Sequence, residues 1–174
     1  NLKLKTGTEF SYSNVGYSVL GLVLEKQSGK SYQELVTALF KKCKMNDSAY
    51  PTDISSKLLT KGHTIRKDGT FKLNEKSGFG TDYYFGSHLI VTALDLAKWN
   101  ECLHNGKLLK PETYKLMTNY SITATHSIFG KNPIGYGYGL RINDKADINE
   151  IGHTGFHPSE GFTAVDLYYP KTKT

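Results

Sequence analysis

Cysteine is scarce: the chain of 174 residues has two, Cys43 and Cys102. They show neither C-x-x-C nor zinc-finger spacing, so dithiol redox and structural zinc motifs are not expected. Whether the two pair or stay as buried thiols is open at this level. Long apolar runs are also missing, and no stretch approaches the roughly 20 residues needed to cross a bilayer. There is no signal-peptide pattern. The chain begins at Asn1 and not at Met, which leaves room for a native start and a targeting segment upstream. No internal repeat and no low-complexity segment is present. Charge of one sign is not concentrated either. Lys and Arg number 22 against 16 Asp and Glu, for a net charge of +6. The cations lie singly or in short groups such as Lys41-Lys42, with no basic stripe, so nucleic acid is not an expected partner. The excess suits an anionic ligand or an anionic surface.

What is present describes an ordinary globular chain, with 38% hydrophobic and 22% charged residues. It is long enough to bury a core as one domain or a large part of one. Phe10-Ser11-Tyr12-Ser13-Asn14-Val15-Gly16-Tyr17 places a tyrosine and an asparagine, one residue apart, at the mouth of a helix. Asn14 is expected to cap the run Val15 to Ser28, which carries Val15, Val19, Leu22 and Val23 and stops at Gly29. Upstream, Lys5-Thr6-Gly7 reads as a turn. Ser31-Tyr32-Gln33-Glu34 has the form of a capping box opening a helix to about Lys42, with Leu35, Val36 and Leu39 as its buried face. From Met45 to Gly80 the pattern is irregular around one extended run, Thr70 to Leu73. Thr92-Ala93-Leu94-Asp95 caps a helix with Leu96, Trp99 and Leu103 on one face. Pro111 starts a short helix to about Asn119. The tail reads as strands: Gly135 to Ile142, Glu150 to Gly155, and Phe162 to Tyr169.

Histidine offers little for a metal. His153 and His157 are four apart, a metal spacing on a helix, but Gly155 and Pro158 argue against one there. His63, His104 and His126 read as isolated surface or core histidines. Ser87 and His88 lie in a turn that could line a cleft, without the Gly-x-Ser-x-Gly surroundings of a hydrolase elbow.

The second anchor is Gly152-His153-Thr154-Gly155-Phe156. With Tyr12-Ser13-Asn14 it resembles the serine β-lactamase and penicillin-binding protein superfamily, in its class C-like branch of β-lactamases, D-alanyl-D-alanine carboxypeptidases and esterases. Phe10 to Gly29 is similar to that branch's Tyr-x-Asn helix. Thr92 to Trp99 is similar to its Ser/Thr-x-x-Asp-Leu-Ala-x-Trp helix, and Gly135 to Arg141 to its glycine-tyrosine strand. The resemblance implies an α+β fold, an antiparallel sheet flanked by helices, as a partial β-lactamase/transpeptidase-like domain over 1–174. It also implies a serine acyl hydrolase acting on amide or ester bonds, with no cofactor and no metal. Its substrate would be a small molecule or a peptidoglycan-type peptide, and its place the bacterial envelope.

By the same resemblance Tyr12 relays the proton of the attacking serine. Asn14 binds the substrate's acyl amide, and His153 and Thr154 meet its carboxylate or leaving group. Gly155 keeps the strand clear for close approach. The backbone N–H of Phe156 serves as an oxyanion donor. Histidine at 153, where β-lactamases usually have lysine, points to carboxypeptidase- or esterase-type members. One departure stands out. No serine here has a lysine three residues later, so the family's Ser-x-x-Lys nucleophile is absent. Thr64-Ile65-Arg66-Lys67 has the spacing but lies on the wrong side of Tyr12. The expectation is a domain lacking its N-terminal nucleophile part and its last strand and helix, inactive alone. The alternative is a non-catalytic relative that binds a peptide or glycan.

Overall fold

The computed structural model describes residues 4, 5, 7–53, 59–74, 85, 89–145, 147, 149–157 and 160–174. Ser87 and His88, the proposed cleft residues, lie outside them. Two compact units share the chain. One comprises Asn14–Trp99 and Thr154–Val165, the other Asn1–Ser13, Asn100–His153 and Asp166–Thr174.

The first of these units opens with helices α1 (Asn14–Ser28) and α2 (Tyr32–Lys42). Helix α1 starts at Asn14 itself, the residue expected to cap it, one position before the expected first helical residue Val15. It ends where Gly29 turns left-handed at φ +68° and its N–H donates to Glu25 O at 2.9 Å. The capping box of α2 forms as the sequence indicates: Ser31 Oγ accepts from the Glu34 N–H, and the Ser31 N–H donates to Glu34 Oε2 at 2.7 Å. Glu25 of α1 accepts from the Tyr32 N–H at 2.7 Å, which ties the two helices at their junction. Phe85 fills the corner between them. Its ring meets Tyr32 edge-on with centroids 5.0 Å apart, and a Cβ on Gly21 would lie 2.3 Å from the Phe85 Cβ.

Two expected faces differ from what is found. Helix α2 buries Val36 and Phe40, while Leu39 is exposed. The reason is rotation: 36 and 40 are one turn apart on the side that carries the chain on to buried Cys43 and Met45. Helix α1 buries only Gly21, and Val15, Val19, Leu22 and Val23 are all exposed.

Helix α3 (Ala93–His104) begins with Thr92 Oγ1 accepting the Asp95 N–H at 3.1 Å. The Asp95 carboxylate is fully buried and accepts from the Asp47 N–H at 2.7 Å, Ser48 Oγ at 2.8 Å and Lys98 Nζ at 2.6 Å. Burial alone would raise its pKa, but the bonds from Lys98, Ser48 and Asp47 outweigh that and hold it below the usual carboxylate range. Strands β1 (His63–Ile65) and β2 (Phe71–Leu73) pair antiparallel, with Ile65 opposite Phe71. The sequence reading contained β2 and missed β1, which is too short and polar to show a period.

The other unit holds most of a five-stranded sheet. Its strands are β3 (Thr123–Ala124), β4 (Ile134–Tyr136), β5 (Arg141–Asn143), β6 (Glu150–His157) and β7 (Phe162–Tyr168), in that spatial order. The pairs β3–β4, β4–β5 and β5–β6 are antiparallel. The glycine-tyrosine run does not form one strand. Gly139 adopts φ +75° and the Gly137 N–H donates to Leu140 O at 2.8 Å, so the chain folds back and the run becomes the β4–β5 hairpin. Leu140, Ile142 and Ile151 form a core cluster, with Met117 of helix α4 (Pro111–Thr118) and Tyr120 packed on it. The last residue of α3, His104, lies flat on Tyr168 at 4.0 Å, and its Nδ1 is 2.7 Å from the Tyr114 hydroxyl. No cysteine is free: Cys43 and Cys102 are buried and disulfide-bonded.

Candidate active site

The hairpin reversal sets the site. Because β4 and β5 pair in register, Tyr136 faces Arg141 across the strands, and Arg141 in turn pairs with Gly152 on β6. Gly152 is required there by close packing. A Cβ at that position would lie 1.9 Å from Asp166 O. The Nε2 of the residue after it, His153, is hydrogen-bonded to the Tyr136 hydroxyl at 3.1 Å. Tyr12 then stacks on His153 with ring centroids 6.0 Å apart and meets Tyr136 edge-on at 6.4 Å. Phe10 backs Tyr136 at 4.9 Å. Two stretches separated by some 140 residues in sequence are thus brought into one aromatic cluster.

Arg141 supplies the charge. Its guanidinium carbon lies 5.3 Å from the Tyr136 ring centre and 5.9 Å from that of Tyr12. The residue is only 7% exposed, and its Nε has no hydrogen-bond partner. Among the described residues no carboxylate forms an ion pair with it. A buried cation held by ring faces alone is costly unless something anionic joins it. Its field reaches His126, whose pKa is lowered by burial first and by Arg141 second. The sequence alone does not single out Tyr136 and Arg141 as candidates. The available signal was a lone arginine closing a run of glycine, tyrosine and leucine, where a buried strand would carry another apolar residue.

The remaining expected residues are placed as follows. Asn14 is exposed at the start of α1, its carbonyl accepting the Ser18 hydroxyl at 3.1 Å. Thr154, Gly155 and Phe156 continue β6, and the Phe156 side chain is 76% exposed. A Cβ on Gly155 would make only an ordinary contact, 3.6 Å from Ala164 Cβ, so close packing does not force glycine there as it does at 152. Strand β6 is extended through both His153 and His157, so the helical pairing needed for an i,i+4 metal site does not arise. The Thr8 N–H and Oγ1 both donate to Lys5 O, and Gly7 lies in a turn; Thr6 is outside the described residues.

Fold and chemistry together define a serine hydrolase-type domain of the β-lactamase and penicillin-binding protein superfamily. The chain belongs to the Beta-lactamase family, which it matches over residues 1–174. It is 26% identical over 172 residues to an uncharacterized protein of Alkalihalophilus pseudofirmus, a match that covers 93% of this chain and 48% of that one. Its fold is similar to the penicillin binding protein from Bacillus halodurans, with a TM-score of 0.76 and 25% identity over 99% of this chain and 52% of that one. It is also similar to the octameric penicillin-binding protein homologue from Pyrococcus abyssi, with a TM-score of 0.71 and 26% identity over 97% of this chain and 41% of that one. The chain thus spans about half the length, or less, of the relatives it matches.

Proposed function

We propose that this chain is the substrate-recognition half of a penicillin-binding-type acyl hydrolase whose substrate carries a free carboxylate beside the reacting amide or ester. The observation that carries this reading is the buried Arg141 guanidinium, without a carboxylate partner among the described residues, inside the cluster of Tyr12, Tyr136 and His153. A carboxylate arriving there meets a fork of N–H donors in a low-dielectric setting, where charge-assisted bonds are strong. A D-alanyl peptide fits this chemistry, with its terminal carboxylate one residue from the scissile carbonyl. Tyr12 then passes the proton from the attacking serine to the leaving amine, Asn14 holds the acyl amide, and the β6 backbone at Phe156 donates to the oxyanion.

The serine itself is not supplied by these 174 residues in the Ser-x-x-Lys form, so the chain alone forms no acyl-enzyme. Removing the nucleophile from a hydrolase costs about 10⁶-fold in the subtilisin case. Mass spectrometry after incubation with a reactive β-lactam or an activated ester tests this. The expected result is no adduct on this chain and an adduct on a longer reading frame carrying Ser-x-x-Lys. A stable adduct on one of the present serines would overturn the assignment. The missing motif also favours a second reading, a non-catalytic binder of acyl-peptides; an extended protein with Ser-x-x-Lys that reacts with neither probe would put it ahead. The disulfide-bonded state of both cysteines supports an oxidising compartment such as the cell envelope.

A further inference from the structure

The β1–β2 hairpin has a surface that the hydrolase reading does not use. Directly opposite residues on antiparallel strands share a face, and alternate residues share it along each strand. Ile65 pairs with Phe71 and His63 with Leu73, so these four side chains form one face. That face is open: Ile65 is 71% exposed, Phe71 68% and Leu73 39%. Arg66 and Lys67 in the turn and Lys61 at the base border it, while Lys72, paired with Thr64, lies on the opposite face; all four are exposed, and among the described residues none is in an ion pair. Against these four cations the segment 61–73 has a single carboxylate, Asp68, and so a net charge of +3. Asp68 is occupied within the turn, accepting from the Thr70 N–H at 2.9 Å and the Thr70 hydroxyl at 2.7 Å. The turn is closed by Arg66 N–H to Thr70 O at 2.8 Å and by Gly69 at φ +82°. The base is fixed too, with the His63 N–H donating to Gly161 O at 3.2 Å. The hairpin is therefore a braced projection with an apolar face and a cationic margin.

We propose that this hairpin docks the protein on an anionic phospholipid surface, with Ile65 and Phe71 entering the boundary between headgroups and acyl chains. Arg66 and Lys67 at the turn and Lys61 at the base then lie at the level of the lipid phosphates. Charge complementarity selects the anionic surface, each Lys or Arg strengthening binding about fivefold near a charged leaflet. The apolar pair selects a bilayer over a soluble polyanion, since a polyanion pairs with the cations and leaves Ile65 and Phe71 in water. Long basic stems flanking an apolar insertion also suit the interface, where they lie along the hydrocarbon and keep their heads hydrated.

The test is sedimentation of the full 174-residue chain with vesicles of phosphatidylcholine, with and without phosphatidylglycerol, across a salt series. Binding is expected only with phosphatidylglycerol and should weaken as salt rises. Arg66→Gln with Lys67→Gln should weaken it about 25-fold by the same per-charge factor. Ile65→Ser with Phe71→Ser should reduce it at least tenfold, with circular dichroism unchanged because both side chains are on the surface. Phe71→Trp should show an emission blue shift on adding anionic vesicles. Equal binding to neutral vesicles, no binding at low salt, or an Ile65/Phe71 double variant that binds like the parent would each overturn the proposal. So would equally tight binding to soluble polyphosphate. None of these results bears on acyl transfer at Tyr12 and His153.

Discussion

Replacing Arg141 with methionine separates a recognition role from a structural one. The guanidinium is buried, rests on two aromatic faces and pairs with no carboxylate among the described residues. The two ring contacts return about 1–2 kcal/mol in total. Desolvating an uncompensated cation costs several kcal/mol, and apolar replacements of buried charges are often neutral or stabilising by about 1–4 kcal/mol. Methionine matches the length of the stem and keeps its packing. The expected result is therefore an unchanged or raised melting temperature, by up to about 16 °C at about 2–4 °C per kcal/mol for a chain of this size. Binding should move the other way. Losing charged hydrogen bonds to a ligand carboxylate costs about 1.5–3 kcal/mol, or roughly 10- to 150-fold in affinity. The assay is calorimetric titration of an acyl-D-alanine peptide and its C-terminal amide against parent and variant, alongside thermal melts. The parent should prefer the free acid and the variant should bind both alike. The reasoning is refuted if Arg141→Met lowers the melting temperature by several degrees, or if acid and amide lose affinity equally.

Three further outcomes follow from the geometry. Gly21→Ala would ordinarily stabilise a helix by about 1 kcal/mol, yet here the new methyl meets Phe85 Cβ at 2.3 Å. Overpacking of about 1–3 kcal/mol should win, giving a net loss in urea denaturation. Tyr136→Phe removes the hydroxyl that contacts His153 Nε2 and keeps the rings in place. It should cost about 1 kcal/mol of stability and shift the His153 imidazole resonances in NMR, which a purely packing role for Tyr136 would leave alone. His104 has its pKa pushed down to about 4 by burial beside Tyr168 and Tyr114. The unfolded chain then binds the extra proton between about pH 6.5 and 4, so stability is complete above that window and falls as pH drops through it. Asp166, raised by burial, contributes with the opposite sign. Comparing His104→Phe with the parent isolates the histidine: the variant should lose the decline assigned to it.

Legibility in the sequence followed how local the determining physics is. The capping box at Ser31 and Glu34, the proline at the start of α4 and the glycine after α1 are written within a few residues, and each appears where expected. Strands β1 and β3 are two or three residues long and hold their shape through partners, so no period announces them. The glycine-tyrosine run misled because alternation in β-type residues also describes a hairpin, and only the positive φ of Gly139 decides between the two. Tyr12 and His153 were legible through the motifs they sit in. Arg141 was not, because what singles it out is burial without a counter-charge among the described residues, which is a property of three dimensions.

The Asp95 carboxylate has a consequence for how the chain breathes. One side chain holds the amide of Asp47, the hydroxyl of Ser48 and the ammonium of Lys98, while its own amide is held by Thr92. Residues 47–48 therefore cannot swing away without stripping partners from the first turn of α3. The start of that helix cannot fray without stranding the same buried charge. Local opening is thus shared between two stretches nearly fifty residues apart, as one cooperative unit rather than two. In a hydrogen-exchange experiment the Asp47 amide should exchange on the timescale of the α3 amides, far more slowly than its position in a loop would suggest.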